Sequence, residues 1–127
     1  MSPSRRVALA AAVAVSAVVV SVPAGASPVI PARVQVAADE YSLTLSRLKI
    51  KGGPAIIQLA NFGEDAHDLR FQRAGGTRVY AIKKTAAGDD TDLEVKLLPG
   101  RFTLWCSLPG HRKLGMQATL VVTKATK

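Results

Sequence analysis

Apolar and polar residues alternate with a period of two over much of the chain after residue 32. Val34 and Val36 alternate with polar neighbours, and the same pattern runs through residues 41–46 and 91–97. Strands with one buried and one solvent-facing side produce this alternation. The pattern therefore predicts several short β-strands, together with a more apolar strand at residues 55–61. After residue 32 no stretch sustains the spacing of an amphipathic helix.

Glycine and proline turns separate these segments, for example at Gly52-Gly53-Pro54 and at Pro99-Gly100. Short strands and turns over about 100 residues predict an all-β fold, an antiparallel Greek-key β-sandwich. Residues 72–90 are less regular, and they predict either one strand near residues 79–82 or a short helix.

The alternation also predicts which side chains of the last two strands point inward. Phe102, Leu104 and Cys106 share one face of their strand, and Met116 and Leu120 share one face of the next. A slip of one residue would expose all of them. We therefore expect Cys106 and Met116 to point into the sandwich at one of its ends.

The first 26 residues are organised as a secretory signal peptide. A basic start, MSPSRR, precedes an uncharged apolar stretch at residues 7–22 and the small residues Ala24-Gly25-Ala26. The apolar stretch is shorter than the roughly 20 residues of a membrane span. We expect cleavage after Ala26, a short lead at residues 27–32, a domain at residues 33–127, and a periplasmic or extracellular protein. If cleavage failed, the leader would hold the protein at the outer face of the membrane.

The remaining chain is basic and has a single cysteine. Removal of Arg5 and Arg6 from the 17 Lys and Arg leaves 15 against nine acidic residues, a formal charge of +6. The basic residues are scattered without interleaved aromatics, which argues against a nucleic-acid partner. The charge either favours encounter with an acidic partner or serves solubility. One cysteine permits no internal disulfide, and we expect a monomer with no membrane span after cleavage.

After residue 26 the chain contains only four imidazole or sulfur side chains: His67, Cys106, His111 and Met116. Each one alone is explained by packing, because a buried cysteine behaves as a small hydrophobe and a methionine fills gaps. Together, two imidazoles, one thiolate and one thioether are the ligand set of type 1 copper. Zinc sites more typically combine several thiolates or histidines and contain no methionine. The set predicts one type 1 copper ion.

Three segments resemble the cupredoxins, the group of blue copper proteins that includes plastocyanin and azurin. CSLPGHRKLGM (106–116) resembles their copper loop, NFGEDAHDLRF (61–71) their first-histidine region, and LPGRFTLWC (98–106) the strand that leads to the cysteine. The resemblance implies that His67, Cys106, His111 and Met116 ligate copper at one end of the sandwich. It also implies that the edge of His111 lies near the surface as the electron port.

The function implied is that of an exported one-electron carrier rather than an enzyme, with redox proteins that present an acidic face as partners. The alternative is a copper-handling module that delivers or buffers the metal. Copper oxidases and nitrite reductases need further histidines for a second copper site, and this chain has none to spare.

The sequence departs from the cupredoxin pattern at three places. Asp68 stands where many members have asparagine, and a carboxylate near copper favours Cu(II), which predicts a lowered reduction potential. Arg112 and Lys113 follow His111, where the surface of other members is often apolar. Trp105 occupies the position of an exposed tyrosine in plastocyanin-like members.

Overall fold

The computed structural model describes residues 2–4, 7–22, 25 and 28–125. These residues form nine β-strands: β1 (Ala32–Asp39), β2 (Ser42–Leu45), β3 (Lys49–Lys51), β4 (Gly53–Asn61), β5 (His67–Arg73), β6 (Val79–Thr85), β7 (Asp90–Leu97), β8 (Gly100–Trp105) and β9 (Gln117–Thr123). No helix is found among the described residues, so none there could cross a membrane.

The strands form two sheets that pack face to face. One sheet has the order β2-β1-β4-β7, and the other has the order β3-β9-β8-β5-β6. Both inner faces are apolar. Within this core Phe71 stacks on Tyr80, with ring centroids 4.9 Å apart, and lies tilted against Phe102 at 6.4 Å. The all-β sandwich predicted from the alternation is confirmed.

The predicted register is also correct at the positions that matter for the candidate site. Val34 and Val36 of β1 are buried while their polar neighbours face solvent. Phe102, Leu104 and Cys106 are all buried, as predicted for one face of a strand.

Some details of the sandwich differ from the prediction. β1 pairs with β4, and β3 pairs with β9, in parallel. The sheets are therefore mixed, because the chain crosses to the other sheet at β3 before it returns at β4. In the irregular middle the chain forms the strand β6 rather than a helix. Tyr41 lies in the β1–β2 turn and is 39% exposed, so it does not belong to the alternating strand.

Residues 7–22 form neither helix nor strand. Arg5, Arg6 and, at the predicted cleavage site, Ala24 and Ala26 lie outside the described residues. The leader and its cleavage stay predictions.

Candidate metal centre

The four candidate ligands lie at strand ends. His67 is the first residue of β5, Cys106 directly follows β8, and Met116 directly precedes β9, with His111 in the loop between β8 and β9. β8 is hydrogen-bonded to both β5 and β9 in antiparallel register. The beginnings of β5 and β9 therefore meet the end of β8 at one edge of the sheet.

Three of the candidate side chains converge on one point. The Sγ atom of Cys106 lies 4.0 Å from Nδ1 of His67 and 3.6 Å from Nδ1 of His111, and the two Nδ1 atoms are 3.2 Å apart. His67 and Cys106 are fully buried, whereas His111 is partly exposed. The fourth residue, Met116, is also fully buried.

This donor set fits one copper ion. Nitrogen ligands lie about 2.0–2.1 Å and thiolate sulfur about 2.3 Å from a comparable ion such as zinc. Donor atoms separated by 3.2–4.0 Å can therefore share a single ion. Thiolate together with imidazole suits copper in both oxidation states.

The loop of residues 106–116 is held by its own backbone. The N–H of Cys106 donates to the carbonyl of Met116 at 3.1 Å, and the N–H of Met116 donates to the carbonyl of His111 at 3.2 Å. Gly115 has a φ of +125°, and a Cβ there would lie 2.9 Å from the carbonyl oxygen of Tyr41. The close approach of the β1–β2 turn to this loop thus requires glycine.

Burial raises the pKa of the Cys106 thiol and the charge of Asp68 adds to the rise, although the backbone N–H groups of Leu108 and Asp68 act against it. Metal binding requires the thiolate, so Cys106 would release its proton to bind copper.

Asp68 ties the strand of His67 to the loop of Cys106. Its Oδ1 accepts a hydrogen bond from the backbone N–H of Ser107 at 2.6 Å, and its Oδ2 accepts one from the Ser107 hydroxyl. Nε of Arg70 lies 3.6 Å from Oδ2. Asp68 is only 4% exposed, and its bonds to the residue after Cys106 bring its negative charge close enough to act on the thiol.

Asn61, the last residue of β4, holds the loop before His67. Its amide nitrogen donates to the carbonyl oxygens of Asp65, at 2.7 Å, and Thr85, at 3.0 Å. Its amide oxygen accepts from the N–H of Gly63 at 2.9 Å. Asn61 is 2% exposed, so these bonds fix residues 61–65 from inside the protein.

Glu40 is a site residue that the sequence did not reveal. Its carboxylate accepts hydrogen bonds from the backbone N–H groups of Glu64 and Asp65 and lies 2.9 Å from Nε2 of His67. These two N–H groups, and then His67, lower the pKa of Glu40 from its ordinary value of 4.5 to about 2. A glutamate in a turn gives no local signal of such contacts, because its partners lie more than 20 positions away along the chain.

The surface beside His111 combines aromatic and basic groups. The ring of Tyr41 meets the His111 imidazole edge-on, with centroids 5.2 Å apart. The Arg112 guanidinium lies 4.8 Å from the centre of the Trp105 ring, and its Nε lies 3.4 Å from Oε1 of Gln117. Arg112 is therefore held along the surface of its own domain.

Neither a protein-family model nor a curated protein matches the sequence. The structure is similar to dithionite-reduced auracyanin from the photosynthetic bacterium Roseiflexus castenholzii, with a TM-score of 0.60 and 16% identity over 78% of this chain and 99% of the other. Auracyanin A, a blue copper protein from the green thermophilic bacterium Chloroflexus aurantiacus, gives a TM-score of 0.60 and 14% identity over 73% and 99% of the two chains.

A copper nitrite reductase from Nitrosomonas europaea matches with a TM-score of 0.58 and 17% identity, over 75% of this chain and 42% of the enzyme. These likenesses establish that the chain has the cupredoxin fold. The same fold occurs in a small blue copper protein and in part of an enzyme, so the residues of the site have to specify the function.

Proposed function

We propose that this chain of cupredoxin fold is an exported blue copper protein that carries single electrons between redox partners. His67, Cys106, His111 and Met116 would hold one type 1 copper ion. The observation that carries the proposal is the convergence of a buried thiol and two imidazole Nδ1 atoms within 4.0 Å of one another. Bound copper would supply the redox chemistry, a one-electron change between Cu(II) and Cu(I).

Hydrogen bonds of the protein would hold the ligands in one fixed arrangement. Backbone hydrogen bonds close the loop of residues 106–116, and Asp68 fastens Ser107, the residue after Cys106, to β5. Ligands held in one arrangement need little movement when the charge of the metal changes. A fixed arrangement supports electron transfer rather than metal delivery, because delivery requires the ligands to release the metal.

His111 is the ligand through which electrons would leave, because it is partly exposed while His67 and Cys106 are fully buried. We propose that the partners are redox proteins with an acidic face, drawn by the formal charge of +6 on residues 27–127. Tyr41 and Arg112 lie beside the port and would form part of the contact surface.

Residues 1–26 would act as the secretory signal, residues 27–32 as a lead and residues 33–127 as the copper domain. The protein would work as a monomer in the periplasm or outside the cell, or at the outer face of the membrane if its leader stays uncleaved. It would transfer electrons to or from enzymes without being one itself.

Potentiometry of the copper-loaded protein, combined with a challenge by a Cu(I) chelator, tests the proposal against the copper-handling alternative. A carrier of electrons shows a reversible one-electron couple and retains its metal through repeated cycles. Rapid loss of Cu(I) to the chelator without a reversible couple would identify a copper-handling module instead.

A further inference from the structure

The β1–β2 turn contacts both imidazoles of the candidate metal centre. Glu40 in this turn lies against His67, and the next residue, Tyr41, packs edge-on against His111. The Glu40 side chain is 23% exposed and His67 is completely buried, so the contact between them lies at the boundary of the core.

Three groups contact the carboxylate of Glu40 at the same time. Oε1 accepts the N–H of Asp65 at 2.8 Å and lies 2.9 Å from Nε2 of His67, while the N–H of Glu64 lies 3.1 Å from both oxygens. Gly63 permits this arrangement, since a Cβ there would collide with the carboxylate oxygens. Glu40 therefore holds the loop of residues 62–66 and the ring of His67 together.

The contact also decides which nitrogen of His67 is available to a metal. A carboxylate accepts hydrogen bonds and has no proton to donate. The proton of the neutral ring is therefore on Nε2, and the lone pair of Nδ1 is the one available to a metal. Nδ1 is the atom that faces Cys106 and His111.

We propose that Glu40 is a positioning residue of the metal centre, which fixes the ring orientation and the Nε2–H tautomer of His67 before metal binds. A carboxylate hydrogen-bonded to a ligating histidine also raises the basicity of the ligand. Insofar as the proposed copper function holds, the negative charge of Glu40 favours Cu(II) over Cu(I), in addition to the charge of Asp68. The site then binds Cu(II) more tightly than a site with a neutral acceptor at this position.

Three variants of the full chain separate positioning from charge. Glu40→Ala removes every contact, Glu40→Gln keeps an oxygen acceptor but loses the charge, and Glu64→Gln removes a charge from an exposed side chain of the same loop. The first readout is proton NMR of the metal-free protein, in which a hydrogen-bonded Nε2–H of His67 exchanges slowly enough to be observed. The second readout is the affinity for Cu(II) and Cu(I), measured by competition.

We expect the Nε2–H signal in the wild type and in Glu64→Gln, a faster-exchanging signal in Glu40→Gln, and none in Glu40→Ala. Cu(II) affinity falls 10- to 100-fold in Glu40→Ala, the range found when such partners of ligating histidines are removed. In Glu40→Gln the affinity for Cu(II) falls about tenfold more than the affinity for Cu(I). This difference corresponds to a rise in reduction potential of about 59 mV.

The proposal is wrong if Glu40→Ala keeps the Nε2–H signal and a Cu(II) affinity within twofold of Glu64→Gln. Should Glu40→Ala fail to fold, Glu40→Gln and Gly63→Ala provide the test, because both disturb the contacts of the Glu40 carboxylate. Unchanged exchange of the His67 Nε2 proton in both variants would overturn the proposal. A wild type that binds no copper refutes the proposed function, while the NMR comparison of metal-free proteins still decides the role of Glu40.

Discussion

Replacement of Asn61 by alanine tests whether the loop before His67 is held in place by the protein interior. Three side-chain hydrogen bonds disappear in this variant, at 2.7, 3.0 and 2.9 Å. Each contributes about 1 kcal/mol net, and the buried carbonyl of Thr85 loses a partner that water cannot easily replace. We therefore expect the free energy of unfolding to fall by about 3 kcal/mol.

Chemical denaturation of the metal-free protein, followed by fluorescence of the single tryptophan, measures this loss. Gln58→Ala is the matched control, because Gln58 lies on the same strand and its side chain makes an exposed hydrogen bond to Gln35. Exposed substitutions of this kind change stability by about 0.5 kcal/mol or less. If Asn61→Ala lost under 1 kcal/mol, or no more than the control, the loop would not depend on the Asn61 hydrogen bonds.

Three further predictions follow from the charges and burial at the site. Asp68→Asn removes a negative charge beside the thiol, so potentiometry of the copper-loaded protein should show a rise on the order of 59 mV, and an unchanged potential would contradict the role of this charge. The Cys106 thiol is fully buried with a raised pKa, so at pH 8 it should react with an alkylating reagent far more slowly in the native metal-free protein than after unfolding; equal rates would contradict its burial. Because the pKa of Glu40 is lowered from 4.5 to about 2, its ionised form stabilises the native state above pH 4.5 and this contribution is lost toward pH 2. Denaturation at several pH values should therefore show a steeper acid loss of stability in the wild type than in Glu40→Gln, and parallel curves would refute the linkage.

The alternation of apolar residues was sufficient to predict most strands, because one face of each is buried in a sandwich. Val34 and Val36 show the period directly, and so do Phe102 and Leu104 of β8 together with Cys106, the residue after the strand. β6 was ambiguous because only Ile82 and Thr85 of its seven residues are buried. The parallel pairing of β1 with β4 depends on which sheet the chain enters, and local sequence carries no signal of that choice.

The candidate ligands were identifiable because the chain has so few imidazole and sulfur side chains. The residues that hold these ligands and their loops in place are harder to predict. Glu40 contacts a histidine 27 positions away, and Asn61 bonds to a carbonyl 24 positions away, so both contacts exist only once the sandwich has formed. Asp68 departs from the cupredoxin pattern in the sequence itself, but its hydrogen bonds to Ser107 are visible only in the structure.

The central claim is that the Cys106 thiolate binds copper together with His67 and His111. The most direct test is the visible absorption spectrum of the protein with one equivalent of Cu(II), before and after addition of ascorbate, with Cys106→Ser as control. The account predicts an intense blue or green thiolate-to-copper band that bleaches on reduction, returns on reoxidation and is missing from Cys106→Ser. A pale spectrum accompanied by oxidation of the thiol would contradict it.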